Sequence, residues 1–333
     1  MKKLLLHPPI EAARLEKIQA AAGAMTVVNA ATAPDATREI ADATGFIGKI
    51  TPELLSRATR LEWVQSPTAS LEHYMFPALV THPCTLTNMR GLFSDIIADQ
   101  VMGYVICFTR NLHLYVRQQV ARKWNPIGGD TNTLTTGYGP GRVSGVDLAH
   151  QHLADCTMGI IGLGAIGAEI AVRARAFGMR VRAVDPIRTE APAGVELTGL
   201  DGTDALLAAS DYVVIAAPHT PQTEGAFGLE SFRRMKPTAR FINIGRGAIV
   251  SLDALTEALR TGLIAGAALD VYETEPLPAA HPLWGMENVI LTPHIAGYSP
   301  RIPERHLEVM LDNIGRHRRG EPLRNVVRKA EWF

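Results

Sequence analysis

The sequence predicts two α/β domains, one of them a doubly wound parallel sheet, and three observations predict this. Short apolar runs alternate with helical patterns along most of the chain, as α/β folds require. From Thr157 onward six of these runs are continuously apolar, which suits parallel strands buried on both faces. The chain has 333 residues, enough for about two domains at roughly 150 residues each.

In residues 1–93 the candidate strands are Leu4–Leu6, Met25–Val28, Gly45–Ile47, Leu61–Gln65 and Leu86–Thr87, with helical patterns at Glu11–Ala22 and Pro52–Ala58. Ser94 opens a long helix in which Ile96, Ile97, Val101, Tyr104, Val105 and Phe108 recur at helical spacing. Ser94 is its expected N-cap, and Asp95 and Asp99 suit the positive end of the helix dipole. Trp124–Gly145 is rich in glycine and threonine and lacks periodicity. It reads either as a surface excursion or as a flap at a dimer interface or active site.

The six later strands are Thr157–Ile161, Arg180–Asp185, Tyr212–Ala216, Arg240–Ile244, Ile264–Asp270 and Val289–Leu291. Helices such as Ala165–Phe177, ending at Gly178, and Leu252–Arg260, ending at Gly262, separate most of them; glycine relieves the left-handed strain of a helix stop. Pro303–Arg318 is a charged amphipathic helix able to return to the first domain.

Composition narrows the function. Lysine plus arginine and aspartate plus glutamate both number 33, so the formal net charge is zero, which argues against a generally basic nucleic-acid binder. No apolar stretch approaches the roughly 20 residues needed to span a bilayer. Leu4–Leu6 mimics a signal peptide but stops at His7-Pro8-Pro9, and Cys84, Cys107 and Cys156 form no CxxC pair. The expected location is the cytoplasm, and no metal site is expected.

Gly162-x-Gly164-x-x-Gly167 follows a predicted strand and opens a helix. The first glycine allows a tight turn, the second a close approach of backbone to pyrophosphate, and the third close packing of helix on strand. Free amides at the helix start, those of Ala165 and Ile166 among them, bind phosphate with the help of the helix dipole. Asp185 ends the next strand 18 residues after Gly167. A carboxylate there accepts hydrogen bonds from ribose hydroxyls and repels a 2′-phosphate, which predicts NAD (NADH) over NADP; Arg188 softens that preference.

Three residues downstream carry the chemistry: Arg246 in Ile244-Gly245-Arg246-Gly247, Glu275 in Asp270–Pro276, and His294 in Thr292–Gly297. Each follows a predicted strand, on the carboxyl side of the sheet where ligands bind in such folds. Reduction of a 2-keto acid builds negative charge on the carbonyl oxygen, which needs a proton donor and a fixed positive group. Histidine gives and takes a proton near neutral pH, a neighbouring carboxylate favours its protonated form, and arginine bridges carboxylate and carbonyl with its planar fork.

From about Asn88 onward, and densely from Met158, the chain resembles the D-isomer-specific 2-hydroxyacid dehydrogenases. The similar stretches include Pro218–Thr223, Met235-Lys236-Pro237, Phe241–Val250, Gly266–Val271 and His281–Trp284. The resemblance implies an NAD-binding Rossmann domain at 100–296 and a discontinuous, flavodoxin-like substrate domain at 1–99 and 297–333. It implies that His294 is the acid/base, Glu275 its partner and Arg246 the substrate anchor. It places Asp270 by the nicotinamide carboxamide, has Pro218, Thr223 and Ile244 line the cofactor, and counts Arg246, His294 and Gly297 as cofactor contacts. It also implies a homodimer. The implied reaction interconverts a 2-keto acid and a D-2-hydroxy acid. The alternative is a non-enzymatic NAD-sensing interaction protein of the same fold, since such relatives can keep the triad.

The family's glycine-rich substrate loop corresponds here to Ser66-Pro67-Thr68-Ala69-Ser70, which has no glycine; Thr68, Ala69 and Ser70 are the expected substrate-carboxylate residues. His73 with Tyr74 could face the substrate, and Arg90 and Arg301 could meet a longer or phosphorylated one.

Overall fold

The computed structural model describes residues 2–129 and 143–331. The chain divides into two units, residues 1–93 with 299–333, and residues 94–298. The expected boundaries at 99/100 and 296/297 therefore shift. The first would cut the helix Ser94–Thr109, which lies wholly in the second unit.

In the first unit the order is β1 (Lys3–His7), α1 (Ala12–Ala22), β2 (Thr26–Asn29), α2 (Ala33–Glu39), β3 (Gly45–Gly48), α3 (Pro52–Arg57), β4 (Trp63–Gln65), α4 (Pro77–Thr81) and β5 (Thr85–Thr87). The five strands are parallel in the order β2-β1-β3-β4-β5, the flavodoxin-like winding. Alternation through the sheet explains the apolar run of β1. Leu5 joins Phe46, Val64 and Leu86 on one face, and Leu4 and Leu6 join Ile47 and Trp63 on the other.

The second unit holds α5 (Ser94–Thr109), α6 (Leu112–Val120), α7 (Gly145–Ala149), β6 (Thr157–Ile161), α8 (Ala165–Ala176), β7 (Arg180–Val184), β8 (Val195–Thr198), α9 (Thr203–Ala209), β9 (Tyr212–Ile215), α10 (Leu229–Arg233), β10 (Arg240–Asn243), α11 (Leu252–Arg260), β11 (Gly266–Leu269) and β12 (Val289–Leu291). A last helix, α12 (Ile302–Arg319), returns to the first unit, where Leu307 and Ile314 share a core with Ile18 of α1. It stops at Gly320 in the left-handed conformation.

The second sheet is parallel throughout and has seven strands, β12-β11-β10-β9-β6-β7-β8. The seventh, β8, escapes the apolar-run criterion because it is an edge strand: Val195-Glu196-Leu197-Thr198 alternates between half-buried and exposed positions. Winding reverses between β6 and β9, the switch point where doubly wound sheets take their ligands. On one face α5 packs on α8 through Val101, Val105, Ile170 and Ala171, and Asp99 reaches Arg173 at 2.7 Å. Ser94 is not the N-cap that was expected: it is the first residue of α5, and its hydroxyl is buried with no hydrogen-bond partner.

Of the glycine-rich stretch 124–145, residues 130–142 lie outside the described residues, and with them the choice between surface excursion and flap. Its two ends meet: a Cβ on Gly128 would stand 2.1 Å from the Gly145 carbonyl oxygen. Among the described residues no helix is long and apolar enough to cross a membrane, and no group of three His, Cys, Asp or Glu side chains could hold a metal. His150 packs α6 on α7 instead, its Nδ1 facing the Val146 carbonyl at 2.7 Å and its Nε2 the Tyr115 hydroxyl at 3.0 Å.

One core histidine makes the first unit sensitive to acid. His317 is buried against Trp63, and burial, reinforced by the charge of Lys2 and opposed by Glu62, pulls it down to about 4. The folded state thus prefers the neutral ring. Between about pH 6.5 and 4 the unfolded chain binds the extra proton and the folded chain does not, so stability falls as pH falls through that window. The full loss is on the order of 3 kcal/mol. Thermal melts at pH 7.5 and pH 5 are expected to show a smaller difference for His317→Gln than for the unchanged protein; equal differences would contradict this role.

Candidate active site

The glycine turn after β6 performs three separate tasks. Gly162 has φ +95°, and a Cβ there would lie 2.7 Å from the Ala217 nitrogen, on the chain leaving β9. Gly164 caps α8 and has nothing within 4 Å of a notional Cβ, which leaves room for a ligand at the helix start. Gly167 lies where a Cβ would come 2.2 Å from the Gly162 carbonyl oxygen, so the helix closes tightly on the turn. The first intrahelical bond runs from Ala168 to Gly164, leaving the amides of Ala165, Ile166 and Gly167 without helical acceptors. An open cradle of amides at a helix N-terminus fits a pyrophosphate.

Asp185 stands just past β7 and organises this cradle. Its Oδ2 accepts the Leu163 amide at 2.7 Å, and its Oδ1 accepts those of Ile187 and Arg188 at 2.9 Å each. Three of roughly four acceptor directions on the carboxylate are therefore used, and one on Oδ2 remains. Thr223 is likewise committed locally: its hydroxyl accepts the Thr220 amide at 2.8 Å and donates to the Pro218 carbonyl at 2.8 Å, folding the 218–223 loop. Pro218 is exposed on that loop, and Ile244 is buried just past β10.

The three candidate catalytic residues follow three adjacent strands. Arg246 stands past β10, in a turn stapled by the buried Asn243, whose Oδ1 accepts the Gly245 amide and whose Nδ2 donates to the Arg246 carbonyl, both at 3.1 Å. A Cβ on Gly247 would come 1.8 Å from the Tyr272 carbonyl oxygen, so this turn abuts the segment that follows β11. In that segment the two glutamates divide their work. Glu273 accepts the Leu252 amide at 3.0 Å and caps α11. Glu275 accepts the Tyr272 amide on Oε1 at 3.0 Å and meets His294 Nδ1 with Oε2 at 2.7 Å. The side chains of His294 and Glu275 are 48% and 36% exposed, and the imidazole's far nitrogen has no hydrogen-bond partner among the described residues.

His294 is held in the left-handed region, φ +53°, which costs a non-glycine residue free energy unless its surroundings enforce it. The enforcement comes from Asp270, only 2% exposed. Its Oδ1 accepts the Thr292 hydroxyl at 2.6 Å and the Ile295 amide at 2.9 Å, and its Oδ2 accepts the Ala296 amide at 2.9 Å. Residues 292–296 thus wrap around one carboxylate, with His294 at the crest and Gly297 half-buried just beyond. Sequence reasoning named Asp270 for a different task and missed Asn243 and Glu273.

In the first unit the Ser66–Ser70 turn follows β4, and hydroxyls do the folding that glycines would otherwise permit. Thr68 Oγ1 donates to the Ser70 carbonyl at 2.6 Å, so the Ser66 hydroxyl donates to Thr68 Oγ1 at 3.1 Å while Ser66 Oγ accepts the Thr68 amide at 3.3 Å. The carbonyls of Thr68 and Ala69 are taken by the Met89 amide and Asn88 Nδ2. The Ala69 amide has no acceptor among the described residues. His73 is exposed, Tyr74 lies beneath Lys49 at 5.2 Å, Arg90 is exposed past β5, and Arg301 precedes α12.

Residues 102–296 match the family model described as D-isomer specific 2-hydroxyacid dehydrogenase, NAD binding domain. A glyoxylate reductase of Korarchaeum cryptofilum is 37% identical over 248 residues, 73% of this chain and 68% of that protein. Among solved structures, a D-isomer specific 2-hydroxyacid dehydrogenase from Xanthobacter autotrophicus in complex with NADPH and MES is 27% identical, with a TM-score of 0.77 over 99% of this chain and 98% of that one. An NADPH-dependent glyoxylate/hydroxypyruvate reductase from Sinorhizobium meliloti in complex with NADP and sulfate is 26% identical, with a TM-score of 0.78 over the whole of both chains.

Proposed function

We propose that this chain, which belongs to the D-isomer specific 2-hydroxyacid dehydrogenase family, reduces a 2-keto acid to a D-2-hydroxy acid with NADH, using His294 as the acid/base. The observation that carries the reading is the 2.7 Å contact between His294 Nδ1 and Glu275 Oε2, beyond the carboxyl ends of strands in the sheet that bears the glycine turn. The nicotinamide, when bound, supplies the hydride. His294 Nε2 donates the proton to the carbonyl oxygen as charge builds there, and Glu275, 2.7 Å from Nδ1, fixes the ring's orientation. Arg246 anchors the substrate acid, and its guanidinium offsets the developing charge.

The Asp185 carboxylate supports NADH. A 2′-phosphate beside it would meet like charge, and its remaining acceptor direction suits a ribose hydroxyl. The relatives described with NADPH and the neighbouring Arg188 favour NADPH instead. Steady-state reduction of glyoxylate and hydroxypyruvate with each cofactor decides between them. A kcat/KM at least about 10-fold higher with NADH, the scale of one lost charged contact, is expected. An equal or higher value with NADPH would overturn the cofactor assignment, and no product with either would overturn the activity.

The homodimer rests on an apolar face of the second unit. Leu112, Val116 and Val120 recur every four residues on α6 and are exposed, Val120 at 82%, and Trp124 follows at 81%. Light scattering is expected to give twice the chain mass for the unchanged protein and a lower mass for Val116→Glu/Val120→Glu. A monomeric unchanged protein would contradict the proposal.

A further inference from the structure

We infer that Tyr104, on α5 and more than 140 residues before Arg246, Glu275 and His294, is a positioning residue that sets His294 through the hydroxyl of Thr292. The inference rests on the reading of His294 as the acid/base.

The protons in the network run one way. The Thr292 hydroxyl donates to Asp270 Oδ1 at 2.6 Å, which spends its single proton. The Thr292 oxygen also contacts the Tyr104 hydroxyl. With its own proton committed, Thr292 can only accept there, so Tyr104 must be the donor. The side chain is 3% exposed, and burial pushes its hydroxyl up, which keeps the donor protonated.

Thr292 is therefore locked from several sides. Tyr104 and Asp270 hold its side chain, its amide donates to the Leu269 carbonyl at 3.0 Å, and its carbonyl accepts the Tyr272 hydroxyl at 2.9 Å. The His294 amide donates to that same carbonyl at 3.1 Å, so the strained turn at His294 is built directly on Thr292. Without the Tyr104 proton, the Thr292 hydroxyl is free to rotate away from Asp270, and the carboxylate loses one of the donors that fix residues 292–296. The core of α5 thus reports on the crest of the catalytic loop without touching it.

The test is a double-mutant cycle read in the reductase assay. Tyr104→Phe is expected to lower kcat roughly 10-fold, the equivalent of one buried hydrogen bond, with an unchanged KM for NADH and an increased solvent isotope effect. In a His294→Ala background the same substitution is expected to change nothing further, because its effect passes through that ring. Thr292→Ser, which keeps the hydroxyl, should keep the rate, and Thr292→Val, which also strips a donor from Asp270, should lower it at least as far as Tyr104→Phe, with Tyr104→Phe adding nothing in that background. An undiminished kcat in Tyr104→Phe, with His294→Ala impaired, would overturn the inference alone. An equal loss from Tyr104→Phe in both backgrounds would also overturn it, marking a general packing defect. Full turnover in His294→Ala would overturn the reading of the site, and the inference with it.

Discussion

Replacing His294 with alanine is expected to lower keto-acid reduction about 100-fold or more, the scale of general acid catalysis by a positioned side chain, while leaving the melting temperature nearly unchanged. The size follows from what is removed. Among the described residues, the 2.7 Å pair with Glu275 orients a proton donor whose far nitrogen has no hydrogen-bond partner, and no other side chain shares that pairing. The stability change should be small because the imidazole is about half exposed and its loop is held by Asp270, not by its own packing. Turnover near that of the unchanged protein would remove His294 from the proton transfer.

The second large effect is expected at Asp270. Asn is its near-isostere, but one acceptor oxygen becomes an NH2 group. The carboxylate takes three donors, at 2.6, 2.9 and 2.9 Å, in a site 2% exposed. In Asp270→Asn at least one donor faces another donor, and an unsatisfied buried group costs about 1–3 kcal/mol, more where a charged partner is lost. The left-handed turn at His294 then loses part of its enforcement. A fall in kcat of roughly 100-fold is expected, from misplacement of the ring, together with a lower melting temperature. A variant with normal kcat would show that the 292–296 loop keeps its shape without the clamp.

The reach of sequence reasoning follows from where each constraint lies along the chain. The glycine turn is legible because its demands are local: Gly162 needs a positive φ and Gly167 a missing Cβ, within six residues. Arg246, Glu275 and His294 are legible because each follows an apolar run that becomes a strand, and parallel strands bring their carboxyl ends to one edge. Asp270 lies in a readable motif, yet its work as a clamp joins it to one hydroxyl 22 positions away and to two backbone amides 25 and 26 positions away, and amides carry no side-chain pattern. Tyr104 is read only as a core position of an amphipathic helix, since its hydroxyl partner is 188 residues distant. Glu275 is paired with His294 in sequence only through the family resemblance, and the work of its neighbour Glu273, capping α11, appears only in the fold. The Ser66–Ser70 turn shows the converse: the lack of glycine is plain in the sequence, but the hydroxyl bonds that replace it need three dimensions.

Hydride delivery to a keto carbon is the central claim, and isotope transfer tests it most directly. The protein would be incubated with glyoxylate and NADH carrying deuterium at the transferable position of nicotinamide C4, and the glycolate formed analysed by mass spectrometry. Deuterium at C2 of the product, formed rapidly by the unchanged protein and far more slowly by His294→Ala, is the expected result. No deuterated product from glyoxylate, hydroxypyruvate or pyruvate, from protein that demonstrably binds NADH, would contradict the reductase reading and favour a protein that senses the cofactor without turning it over.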